Sequence, residues 1–174
     1  KKVSNREWKS PSDKDARIAK MKDGTTHLAH KAEHAVDVES GVVMAAEIHP
    51  ADEGDTATLP DTLDRAETSA QKINPGVAIK DIVADCGYHS TQTLEELDGL
   101  GYRPCIPERK LRGGRRRWKR RARQLGSRRA RRQQKAFYRN RRRVRSEAGK
   151  RLLRKRGETV ERSFAHLLET GAMR

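Results

Sequence analysis

Apolar positions recur at two different periods along this chain, and each change of period marks an element. Residues 1 to about 24 show neither period. Ser10-Pro11-Ser12-Asp13 and Asp23-Gly24 are turn chemistry there, so an irregular lead-in is expected. Leu28, Ala32 and Val36 then share parity within Thr25–Val38, as in a strand. Val42 to Ala46 is an almost unbroken apolar run inside Gly41–Ile48, as in a second, buried strand, and Glu39-Ser40-Gly41 between the two suits a hairpin turn. Leu59, Leu63, Ala66, Ala70 and Ile73 follow at steps of four, three, four and three, one face of a helix. Asp55 or Thr56 can cap that helix, Pro60 suits its first turn, and Asn74-Pro75-Gly76 stops it. Val77–Ala84 reads as a buried strand ending at Asp85. Ser90 can cap a short helix through Leu97, and Tyr102–Ile106 reads as one more strand. Val160, Phe164, Leu167 and Leu168 give a last helix, Glu158–Leu168. The order of strands and helices is that of a mixed α/β fold.

Residues 109–155 break this pattern. From Arg109 to Arg156 there are 25 Lys or Arg and a single acid, Glu147, a balance of +24. The chain carries +16 overall, so the remainder must be 16 − 24 = −8. A mildly acidic folded part therefore carries an intensely basic segment, expected to be helical or disordered. That asymmetry points to a polyanion as partner, nucleic acid first. Trp118, Phe137 and Tyr138 are interleaved with the basic residues and can stack on bases. The plain alternative is a solvated arm. No apolar run approaches the roughly 20 residues of a membrane span, and a soluble cytoplasmic protein is expected. The two cysteines, Cys86 and Cys105, give no metal framework. His30 and His34 would stand about 13 Å apart on a strand, too far to share one zinc.

Two acids draw notice. Asp85 directly follows a buried strand, at the edge where α/β sheets gather their sites, and Gly87 lets the chain turn away without crowding it. Glu161 adjoins the apolar stripe of the last helix. Spacing alone favours ordinary roles for both, a turn or cap residue and a solvated helix acid.

The two motifs around these acids, taken in order, resemble the DDE transposases of bacterial insertion sequences. Asp85-Cys86-Gly87-Tyr88 matches their Asp-x-Gly-Tyr motif after a strand, and Arg156–Phe164 matches their Val-Glu-Arg-x-Phe helix. Lys1–Asp37 and Ala136–Arg174 resemble flanking sections of one branch, so the likeness omits only the densest basic stretch near residues 115–132. It implies a ribonuclease H-like mixed sheet with flanking helices. It also implies Asp85 and Glu161 as catalytic, metal-binding carboxylates, with Arg156 as a helper. The cofactor implied is Mg²⁺, two ions about 3.5–4 Å apart that activate a water or 3′-hydroxyl and steady the leaving oxygen. DNA, as transposon ends and target, is the partner implied, in the nucleoid of a bacterial cytoplasm, with a homo-oligomer as one form of the intact enzyme.

The family's first catalytic Asp lies on a first strand with no counterpart here. Asp37 sits at a strand end by this match. The expectation is thus an internal fragment lacking that strand, and inactive alone. Its sections would be a lead-in at 1–24, a partial core at 25–108, a basic nucleic-acid-contacting segment at 109–155 and a catalytic helix at 156–174. The DNA-contacting residues expected in or beside that segment are Arg115, Arg116, Arg117, Trp118, Lys119, Arg120, Arg121, Tyr138, Arg141, Arg142 and Arg143. The competing reading is a basic DNA- or RNA-binding protein without catalysis.

Overall fold

A computed structural model of the chain describes residues 7–21, 24–109 and 127–170. It divides into two compact units, residues 1–37 with 42–75 and residues 38–41 with 76–174.

The first unit is a three-stranded antiparallel sheet in the order β1-β2-β3 with a helix against it. The strands are β1 (Arg17–Lys20), β2 (Thr26–Val36) and β3 (Val43–Pro50). β1 lies inside the stretch expected to be irregular. Its four residues are too few to display an alternation, and its register is set by β2, Ile18 facing Leu28. The helix α1 (Asp55–Ile73) buries Leu59, Leu63, Ala66 and Ala70, the face its spacing predicts. Two details differ from expectation. Gly54 is the N-cap and offers no side-chain bond, and Pro60 sits beyond the first turn. Beneath α1, Glu33 is buried and accepts a bond from Thr58 Oγ1 at 2.5 Å. Burial opposes the charge on Lys31, yet its pairing with Asp55 (2.9 Å) and Glu33 (3.1 Å) holds that ammonium above its ordinary pKa.

The second unit is built on two parallel strands, β4 (Asp81–Val83) and β5 (Arg103–Cys105), joined through α2 (Thr91–Gly99). The expected single mixed sheet is thus two sheets among the described residues. Ser90 caps α2 as its sequence suggests, its Oγ accepting from Thr93 N at 2.9 Å. Two further helices follow, α3 (Ser127–Arg145) and α4 (Glu147–Thr170). The second begins well before the Glu158 suggested by apolar spacing. α3 packs on α2 and β5. Its buried residues are Ala136 and Phe137 together with two amides, Gln133 and Asn140. Asn140 brackets Ile106: its Oδ1 accepts from Ile106 N at 2.9 Å, and its Nδ2 donates to Ile106 O at 2.8 Å. Both backbone groups of a fully buried residue are satisfied by one side chain. Leu94, Leu97, Ile82 and Cys105 complete this core.

Candidate active site

Asp85 stands two residues beyond β4, past the buried pair Ile82 and Ala84. Its carboxylate is exposed and caps the short 3₁₀ turn Cys86–Tyr88, with Oδ1 accepting from Gly87 N at 2.6 Å. The capping reading is therefore correct as local geometry. It leaves Oδ2 with no bonded partner among the described residues, so capping and cation binding are compatible. Arg109 fastens the same turn from outside. Its Nε donates to Cys86 O at 2.9 Å and its Nη2 to Gly87 O at 2.8 Å. Neither bond is legible in the sequence, because Arg109 looks like one more member of the basic run.

A tight cluster supports the turn. The His89 ring meets Phe137 edge-on at 5.9 Å, and the Arg141 guanidinium lies 4.6 Å from the centre of the Phe137 ring. Arg141 also donates two bonds to the Glu108 carboxylate, which holds that carboxyl below its usual pKa. Burial pushes the His89 imidazole below its ordinary pKa. The Glu108 charge opposes that shift, and Arg109 and Arg141 add to it.

Glu161 is exposed on α4 and has no hydrogen-bond or ion-pair partner among the described residues. One turn before it, Gly157 leaves open the space beside the carboxylate, and a Cβ there would lie 3.8 Å from Glu161 Oε1. Glu158, three residues before, is also exposed and shares that side of the helix, a neighbour the motif match did not single out. Arg156 is half-buried, five residues from Glu161 on one continuous helix, and so turned about 140° away around the axis. The helix does not bring that Arg and that Glu side by side. α4 touches β4 and β5, and near its start Cys105 Sγ donates to Gly149 O at 3.9 Å. Glu161 lies twelve residues further on (161 − 149), about 18 Å along the axis.

Chemically, the donors fit a hard divalent cation in kind, being exposed carboxylate oxygens with open lone pairs. Among the described residues, no group of three or more His, Cys, Asp or Glu side chains is gathered to hold a metal. Two histidines of β2 are engaged elsewhere, His30 Nε2 with Asp13 Oδ2 at 2.7 Å and His27 Nε2 with Thr25 Oγ1 at 3.2 Å.

Of the residues expected to contact DNA, Arg115, Arg116, Arg117, Trp118, Lys119, Arg120 and Arg121 lie outside the described residues. The other four are on α3. Tyr138 and Arg142 are exposed. Arg141 is held by Glu108, and Arg143 donates to Pro104 O at 3.0 Å and lies 3.6 Å from Asp98. Those two guanidiniums are structural ties as well as charges.

An Asp at a strand end and a Glu on a long helix, in this order, is an arrangement that comparison can test. The family model for the transposase DDE domain matches residues 4–174. The chain belongs to that family. No curated protein and no solved structure gives a significant match. Transposases act on DNA, and the transposase DDE family works with divalent metal ions. Among the described residues, no helix of this domain is long and apolar enough to cross a membrane.

Proposed function

We propose that this transposase domain, inactive alone, contributes two metal-binding carboxylates on a ribonuclease H-like core to the metal-dependent DNA cleavage and strand transfer of an insertion sequence. Asp85 and Glu161 are two of the carboxylates that hold the ions, and Mg²⁺ is the natural occupant of an all-oxygen site. The observation that carries this reading is the position of Asp85. It is an exposed carboxylate just past the C-terminal end of a parallel strand, with one oxygen spent on its own turn and one left for a ligand. When bound, divalent ions would supply the Lewis acidity that lowers the barrier to in-line displacement at phosphorus. The chain's own contribution is to hold the Asp85 turn through Arg109, to present Glu161 beside the gap at Gly157, and to retain DNA with the basic segment. Arg156 stands apart from Glu161 around the helix, and in this reading its helper role is directed at the DNA rather than at that carboxylate.

Iron-directed cleavage tests this site. Fe²⁺ with ascorbate replaces Mg²⁺ and cuts the backbone close to wherever it binds. Cuts are expected near both Asp85 and Glu161, suppressed by excess Mg²⁺ and lost in D85N and E161Q. Cuts confined to one of the two segments would end the shared-site reading.

One observation favours a second reading, a basic nucleic-acid-binding protein without catalysis. No three-ligand cluster is assembled among the described residues. Salt-sensitive DNA binding with no iron-directed cuts at either acid would select it.

A further inference from the structure

The basic residues of α3 fall into two classes that the sequence does not separate. Arg129 and Arg132 are turned toward Glu95, Arg139 and Arg143 toward Asp98, and Arg141 toward Glu108. These five are tied to acids of the same unit. Arg128, Arg131, Lys135, Arg142 and Arg145 are all exposed, and none has a hydrogen-bond or ion-pair partner among the described residues, Arg145 acting on Glu108 only at longer range. With Tyr138 they fall at steps of three, four, three, four and three. On a helix they occupy one stripe within an arc of roughly 100°. Gln133, Ala136, Phe137 and Asn140, which are buried, fall on the opposite side. The stripe thus faces away from the packed core, carries five positive charges and no acid, and runs about 26 Å from Arg128 to Arg145.

We infer that this outer stripe of α3 is a docking surface for the phosphate backbone of double-stranded DNA. The inference rests on the DNA-processing reading above but not on its metal site. Charge complementarity supplies the first argument. Five unpaired cations along one line repel one another in water, and a line of phosphates relieves that repulsion while releasing counterions. The exposed phenol of Tyr138, midway along the stripe, can donate to a phosphate oxygen. Shape supplies the second. An α-helix about 10–12 Å across fits the major groove of B-DNA, about 12 Å wide. The major groove of an A-form RNA duplex is deep and too narrow for it. The paired arginines, by contrast, hold α3 against the unit and keep the stripe turned outward.

The test is the salt dependence of affinity, measured by fluorescence anisotropy on the full chain with a 30-base-pair DNA duplex. In the variant R128Q/R131Q/K135Q/R142Q/R145Q, the slope of log K against log salt is expected to shrink by about 4.5, near 0.9 for each phosphate left without its cation. R132Q and R139Q, whose guanidiniums face acids of the same unit, should leave the slope unchanged. Gln is close to Arg and Lys in helix propensity, so the variant should fold, which circular dichroism checks. If it does not, R131Q and R142Q taken singly should each shrink the slope by about 0.9. An unchanged slope overturns the inference, as does tighter binding to an RNA duplex of the same sequence. Iron-directed cuts at Asp85 and Glu161 that persist in the variant show that a failure here leaves the catalytic reading intact.

Discussion

His89 joins the Asp85 turn to the core through its ring. Its half-buried ring lies against Phe137, and burial is the main reason its pKa sits below the ordinary value. The unfolded chain binds this proton more readily than the folded one, so His89 contributes stability that is present above about pH 6.5 and lost as pH falls toward the folded pKa. Glu108 acts in a separate window, its stability present above pH 4.5 and lost on further acidification. Thermal unfolding between pH 7.5 and 5.5 should therefore show a loss of stability that His89→Phe reduces, since Phe keeps an edge-on ring and takes no proton. An identical pH profile in the variant would show that His89 does not titrate on unfolding. At this scale the sequence is informative where a motif exists. Asp85 stands out in Asp-Cys-Gly-Tyr, whereas Arg109 and His89 carry no motif. Their roles come from partners distant in sequence, Cys86 and Gly87 for Arg109 and Phe137 for His89.

The joint between α3 and α4 shows what an element boundary can demand. Ser146 is the only residue between the two helices, and its Oγ donates to Arg143 O at 2.7 Å while accepting from Gly149 N at 3.0 Å. A Cβ at Gly149 would meet Arg143 O at 1.9 Å, a backbone atom that cannot swing aside. Gly149→Ala should destabilise the protein by about 1–3 kcal/mol, as overpacking does. Gly157 in the same helix has room, and Gly157→Ala should be neutral or stabilising by up to about 1 kcal/mol through helix propensity. Equal melting points for both variants would refute the packing argument. The same helices explain what the apolar pattern can and cannot reveal. α1 is legible because Leu59, Leu63, Ala66 and Ala70 form a purely apolar face. α3 is not, because half of its buried face is Gln133 and Asn140, and α4 reads short because two glycines and a basic run fill its first turns. Periodicity reports burial of carbon and is silent where hydrogen-bonded amides do the packing.

For the molecule as a whole, a net charge of +16 whose basic excess lies in one segment means that self-repulsion there works against the compact state. A polyanion that binds the folded form should raise the melting temperature. Duplex DNA at a hundred times its dissociation constant should add about 2.7 kcal/mol. A melting temperature indifferent to DNA would mean that folded and unfolded chains bind it alike. The α/β class is legible from the order of periods, but the division into two units is not, since it depends on which strands pair. One consequence follows from the way Arg109 and Asn140 are fastened. Arg109 grips the Asp85 turn with two hydrogen bonds, and Asn140 pins α3 to the end of β5 with two more. A buried backbone group left without a partner costs about 1–3 kcal/mol, so drift at Asn140 is penalised far more heavily than drift on the exposed face of the same helix.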